Sequence, residues 1–346
     1  MRGTESARTR SVRTVREIPD DPFPGWDPPQ YRVDDRGKVL GAAPGPHHNW
    51  GRFGELDQRG TANHLTPPRI AAAAALVKTG KRFSLALPIG PPTPGGYRAE
   101  PLHFYGMAAG DGVLGSGRGG ARYPVSDDYV VMALQASTQL DGFGHVGGDS
   151  TLYNGYWAGL VTATGGARRL GVHHLAQGIV GRGVLLDVAL HLGVEHLEPG
   201  FPIGPDELDG AAGAQGVSVG PGDIVLVHTG HVGWKRGLTP GSPDAVTRSE
   251  PGISTRAIPW LHDRDVAMIA TDTAACSVVP PEPGDEFLTW HVAALRDLGL
   301  LVGELFDLDE LAADGAADGV SEGFFVAAPM PIVGASGAPL NPIFVK

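Results

Sequence analysis

The chain has almost no thiol chemistry to offer: Cys276 is its single cysteine. That excludes an intrachain disulfide and any zinc site built from several thiolates. Cys276 reads most simply as a small buried hydrophobe. Basic charge is also scarce. Against 38 Asp and Glu stand 27 Lys and Arg, a formal net charge of −11 with a pI near 5.6, so no positive field gathers nucleic-acid phosphates. No run approaches the roughly 18 uninterrupted apolar residues of a membrane helix, and Met1–Glu17 lacks the apolar core of a secretory signal. The expectation is a cytoplasmic protein with a small-molecule substrate, and with neither nucleic acid nor membrane as partner. A Gly-x-Ser-x-Gly elbow is missing, which argues against a serine hydrolase. Gly115-Ser116-Gly117-Arg118-Gly119-Gly120 lacks the Lys-Ser/Thr of a phosphate loop. There is no internal repeat.

What is present suits a sizeable core. The 346 residues are 42% hydrophobic, enough for one large domain or two smaller ones. The 52 glycines and 30 prolines are dispersed, which implies many tight loops. Arginines at 2, 8, 10, 13 and 16 and the Pro-rich lead-in Asp20–Pro46 predict an extended or disordered arm over residues 1–48. An α/β domain over 49–346 follows, with packing from Trp50. Thr66-Pro67-Pro68 opens a helix over Arg69–Lys78 that Gly80 closes. Arg82–Ile89 is strand-like, and Pro91–Gly120 reads as a long loop able to cover a site. Apolar runs at Gly183–Ala189, Asp223–Thr229, Val266–Thr271, Leu300–Phe306 and Phe324–Ile332 predict strands. Between them, helices are expected from Pro205, over Gly252–Asp263 and over Thr289–Leu298. That alternation predicts α/β architecture with a mixed sheet.

The chemistry concentrates in Val130–Trp157. Tyr129–Leu134 has the β-branched and aromatic content of a buried strand. Polar residues then crowd in: Gln135, Ser137, Thr138, Gln139, Asp141 and His145, with glycines at 142, 144, 147 and 148. Gln135, Gln139 and Asp141 stand at even steps and share a face if the backbone stays extended. The plain alternative is a set of turn formers.

This stretch resembles the signature of the cyclase family, which includes kynurenine formamidase and isatin hydrolase: His-x-Gly-Thr-His-x-Asp-x-x-x-His. Thr138, Asp141 and His145 match it; Gln135 and Gln139 replace two histidines, and Ser137 the glycine. Asp149…Leu152-Tyr153-Asn154-Gly155 resembles the tail of longer members. Trp50-Gly51…Gly60-Thr61-Ala62-Asn63 resembles the family's N-terminal element. Gly183–Asp187, Gly222–Gly230, Pro251-Gly252-Ile253, Ala270–Thr273, His291, Glu304 and Asn341-Pro342 also fit, in order. The resemblance implies a swivelling β/β/α fold and a hydrolase or cyclase acting on a small amide, lactam, lactone or ester. It further implies a homodimer or homotetramer.

It also implies roles. His145 is the catalytic or second-metal histidine; His291 and Glu304, 13 positions apart, converge with Asp141. A water or substrate nucleophile would be activated by His145, with His291 as partner acid or base. In the metal-binding positions stand Gln135, Gln139 and Asp141, so a divalent ion (Mn²⁺, Zn²⁺ or Mg²⁺) or no metal remains open, since neutral amide oxygens bind transition metals less well than imidazole. Gln135, Thr138, Tyr153 and His228 are candidates for substrate contact. His228, at the end of an apolar strand, fits a pocket or a hydrogen-bonded core role equally. Independently of family, Glu304 inside Leu300–Phe306 (LLVGELF) is costly to bury unless paired. The other reading is a silent relative that binds a small molecule after losing its metal site.

Overall fold

The computed structural model describes residues 32–93, 98–114 and 124–346, so the arginine-rich stretch lies outside the described residues. A nine-stranded mixed sheet organises the chain. Its order is Arg82–Ser84, Ile343–Val345, Glu322–Ala327, Ile179–Asp187, Ile224–His228, Met268–Thr271, Leu301–Glu304, Gln139–Asp141 and Gly337–Pro339. The four strands from Ile179–Asp187 to Leu301–Glu304 are parallel neighbours, and every pairing outside them is antiparallel. Parallel strands need helices on their faces. Their side chains are accordingly buried almost without alternation: Val184, Leu186, Val225, Leu226, Ile269, Leu301 and Val302 are all inaccessible to solvent.

Helices begin where their residues allow. Pro67–Ala74 starts on proline, needs no N–H there, and packs on Ile179–Asp187. Pro205–Ala214 opens with the Glu207 carboxylate accepting from the Gly204 N–H. Thr289–His291 begins as an α-turn and widens into a π-turn over Val292–Leu298, a distortion often found at functional sites.

Several boundaries differ from the sequence reading, each for a physical reason. Phe324–Ile332 stops pairing at Ala327, because Pro329 and Pro331 carry no N–H for a ladder. Gly252–Asp263 divides into the short strand Gly252–Ile253, a turn capped by Ser254 and the helix Ile258–Asp263. Tyr129–Leu134 is not a buried strand. Asp127–Val131 pairs with Leu102–Met107 as a two-stranded ribbon, and every residue of both strands is exposed. β-propensity records a fit to a pleated surface and says nothing of what covers it. The described part of Pro91–Gly120 thus carries the first strand of this ribbon and a short helix at Ala109–Val113.

Residues 32–48 lie along the body. Val39 N donates to Gly155 O at 3.0 Å, Trp157 N to Gly37 O at 2.8 Å, and Arg296 Nη2 to Ala43 O at 2.9 Å. Contact with the domain therefore begins before Trp50.

Candidate active site

The antiparallel register between Gln139–Asp141 and Leu301–Glu304 builds the site. It sets Gln139 opposite Glu304 and Asp141 opposite Val302. Positions two apart on a strand share a face, so Gln139, Asp141 and Glu304 project together. Gln139 Nε2 donates to Glu304 Oε2 at 2.5 Å and approaches Asp141 Oδ1 at 3.5 Å. From the helix start at Thr289, His291 brings Nε2 within 3.4 Å of Glu304 Oε1. His145, four residues beyond Asp141, sets its Nε2 3.8 Å from Asp141 Oδ1. Asp141, His291 and Glu304 are buried, and one ligand atom from each lies within 4.8 Å of the others.

Neighbouring residues hold this geometry. Leu305 adopts φ 56°, an uncommon conformation for a branched residue. Its turn is fixed from both sides: Thr138 Oγ1 donates to Leu305 O at 2.5 Å, and Leu305 N donates to Thr273 O at 2.9 Å. Thr138 Oγ1 also accepts from Leu87 N at 2.8 Å. Thr138 is thus a brace for the turn after Glu304. Gln135 is buried against Gly337, where a Cβ would fall 2.6 Å from its Nε2, and Gly337 pairs with Asp141. Only glycine admits the Gln135 amide beside that strand.

Burial dominates the electrostatics. It raises the Asp141 carboxyl, with His145 and Arg98 opposing. Glu304 is pushed well above the carboxylate range by burial, then by the like charges of Asp141 and Glu250, against the Gln139 hydrogen bond and Arg98. His291 is lowered to about 4 by burial and by His145, and so is neutral at physiological pH. Asp141 Oδ2, Gln139 Oε1 and His291 Nδ1 are buried with no hydrogen-bond partner. Such atoms are rare unless something else occupies the space. The donor set, two carboxylates and one neutral imidazole, fits a divalent cation, since bonds of about 2.1 Å place adjacent ligand atoms on the order of 3 Å apart.

Other expected residues fall elsewhere. Tyr153 is fully buried; its hydroxyl donates to Asp57 Oδ2 at 3.0 Å and its ring packs on Phe143. His228 belongs to another group: Nδ1 meets Asp187 Oδ1 at 2.9 Å and Nε2 meets Asp309 Oδ1 at 3.3 Å. Burial alone would lower its pKa, but these carboxylates outweigh it and hold the imidazole protonated to about 10. A cavity of about 590 Å³ lies there, lined in part by Asp187, His228, Trp234 and Asp309. A smaller one, about 390 Å³, opens at His145 and runs along Gly147–Leu152. His145, which lines the smaller one, lies 3.8 Å from Asp141 Oδ1.

Three participants were missed in the sequence. Arg98, half-buried, acts electrostatically on both Asp141 and Glu304, but its glycine- and proline-rich surroundings carry no motif. Glu250 is raised to about 7 by burial and accepts Ala274 N at 2.6 Å. His231 sits 3.9 Å from it with both ring nitrogens unpartnered. The one available signal was a lone glutamate immediately before Pro251-Gly252-Ile253.

An α/β fold with a mixed sheet thus brings Glu304, at the end of a parallel strand, beside Asp141 of its antiparallel neighbour, with two histidines close to them. The sequence matches the Cyclase family over residues 62–277, and the chain belongs to that family. A crystal structure described as a novel cyclase superposes with a TM-score of 0.80 at 39% identity, covering 88% of this chain and all of the other. Isatin hydrolase A from Ralstonia solanacearum (TM-score 0.56, 18% identity, 81% and 98% covered) and from Labrenzia aggregata (0.53, 18%, 81% and 97%) share the fold. No curated protein matches the sequence. The cyclase-type fold expected from the motif is the fold found.

Proposed function

We propose that the protein hydrolyses, or in the reverse sense cyclises, a small amide, lactam, lactone or ester at the Asp141–His145–His291–Glu304 cluster. The observation that carries this reading is the convergence of two buried carboxyl groups and a neutral imidazole, with Asp141 Oδ2 and His291 Nδ1 left unpartnered. His145 stands at the mouth, its side chain a quarter exposed and 3.8 Å from Asp141, where it can take a proton from water. Glu304, held protonated by burial, can return one to the leaving atom. In the alternative, metal-bound form, Asp141, His291 and Glu304 would hold a divalent cation, Glu304 giving up its proton and its role as acid, and the cation would supply Lewis acidity. The Gln139 amide on Glu304 favours a second reading, in which the site binds its ligand without turning it over.

The test is hydrolysis of isatin, N-formylkynurenine and a panel of small lactones and aryl esters, with EDTA and with added Mn²⁺ or Zn²⁺, beside metal analysis of the purified protein. Turnover of any member supports the first reading. Binding with no turnover across the panel supports the second.

We also propose self-association through the exposed ribbon. Leu102, Phe104, Tyr105, Met107, Tyr129, Val130 and Val131 are each at least half exposed there. An isolated two-stranded ribbon is marginal in water, and an apolar patch of this kind marks an interaction surface; a second copy offers the same patch in return. Light scattering at micromolar concentration is expected to give twice or four times the 36.0 kDa chain mass, and a lower value for Phe104→Asp. A wild-type mass of one chain excludes it.

A further inference from the structure

His231 carries an unmet hydrogen-bonding capacity. Its side chain is 4% exposed, and neither ring nitrogen has a hydrogen-bond partner. Buried polar atoms without partners are rare in folded proteins. Burial, with Lys235 and His196 adding to it, lowers the ring to about 4, so it is neutral and offers one donor and one acceptor. Its Nε2 faces Glu250 Oε1 at 3.9 Å, too far for a hydrogen bond. A single nitrogen or oxygen atom between them could reach both at about 2.9 Å.

The pair is built into the frame of the site. Strands Ile224–His228, Met268–Thr271 and Leu301–Glu304 are parallel neighbours, and the turns after them interlock. His231 N donates to Asp272 Oδ2 at 3.1 Å. Next along that turn, the Thr273 carbonyl accepts from Leu305 N at 2.9 Å, and the Ala274 N–H donates to Glu250 Oε2 at 2.6 Å. The Glu250 carboxylate and the residue after Glu304 thus bond to the two ends of one peptide group. Val232, Ala274 and Leu305 pack with Leu87 in one apolar cluster. Glycine makes the turn that presents His231: Gly230 adopts φ 75°, and a Cβ there would lie 2.3 Å from Glu195 O. Glu250 is fixed as well, exchanging backbone bonds with Val279 at 2.8 and 3.0 Å.

We propose that His231 and Glu250 form a second polar contact of this site, seating an amino, amide or hydroxyl group of the ligand that donates to Glu250 and lies apart from the bond being broken. The proposal rests on the reading of the Asp141–His145–His291–Glu304 cluster as the reacting centre. An anionic group does not suit the gap. It would meet Glu250 and Asp272, while the Lys235 ammonium is committed to Asp244 O at 2.8 Å and Thr247 O at 3.2 Å.

Nitrogen-15 NMR of the histidine-labelled full-length protein decides it, the His231 ring signals being those missing from His231→Gln. Acetamide should shift them in wild type, whereas acetate and N,N-dimethylacetamide, which has no N–H, should not. Glu250→Gln keeps an oxygen for Ala274 N but turns a donor toward His231. Its acetamide affinity should fall about tenfold or more, the scale of one hydrogen bond to a charged group. Where the panel above turns over, Glu250→Gln should raise KM more for members with an amino or amide N–H apart from the scissile bond than for plain aryl esters. No response to any probe, as from a gap that holds only water, overturns the proposal. So does an equal response to acetamide and N,N-dimethylacetamide, or an unchanged acetamide affinity in Glu250→Gln shown folded by circular dichroism. If acetamide seats at His231 while no substrate turns over, the hydrolase reading fails and the polar contact stands.

Discussion

Replacing Glu304 by glutamine separates a working carboxylate from a structural one. The ligand atoms of Asp141 and Glu304 lie within 4.8 Å. At an effective dielectric near 20, two unit charges at that distance repel by about 3–4 kcal/mol. The protein avoids this by keeping a proton on Glu304, whose pKa is raised by burial and then by Asp141. The sign follows from linkage. An acid with a raised folded pKa contributes its full stability below the unfolded value near 4.5, and loses it as pH climbs toward the folded value. Glutamine has no proton to lose, and its amide oxygen can still accept from Gln139. Glu304→Gln should therefore gain on wild type with rising pH, by about 1–3 kcal/mol in mildly alkaline buffer. The gain appears as a higher Tm, roughly 2–4 °C per kcal/mol. Hydrolysis should fall by about 10²- to 10⁴-fold, the weight of a general acid. Thermal unfolding at pH 6 and pH 9 with parallel rate measurements reads both. A variant less stable at both pH values, with undiminished turnover, would refute the reasoning and make Glu304 a structural partner of Gln139 and His291.

Two further expectations concern charge and metal. Gln135→His with Gln139→His should tighten Zn²⁺ binding by on the order of 10- to 100-fold per imidazole, because Gln139 already faces Asp141 and Gln135 lies beside the strand paired with it; calorimetric titration with no change would mean that the two side chains do not converge on Asp141. Glu250, raised to about 7 by burial, should cost wild type stability as pH rises from about 4.5 to 7, at most roughly 3 kcal/mol. Glu250→Gln should flatten urea midpoints between pH 5 and 8, and an unchanged slope would place the titration elsewhere.

The convergence of the candidate residues was more legible than their surroundings. Asp141, His145, His291 and Glu304 were legible because motif order survives when loop lengths vary, and because a glutamate within Leu300–Phe306 is hard to place otherwise. The parallel strands were legible from their continuous apolar runs. The ribbon was not: Tyr129–Val131 has the same residue types whether a core or a second chain covers it. Arg98 and Glu250 were hidden because only long-range pairing brings them near Glu304. Thr138 matched the motif, yet its brace on Leu305 depends on a partner 167 positions away, which no local pattern reveals.

The central claim, that this cluster is the reacting centre, is tested most directly by comparing kcat/KM of wild type and Asp141→Asn on the lactam, formamide and ester panel. Asp141 lies 3.8 Å from His145 and belongs to the candidate cation group, so its loss should lower kcat/KM by on the order of 100-fold or more while circular dichroism shows the fold retained. Turnover by wild type that Asp141→Asn matches would place the chemistry elsewhere and contradict the account.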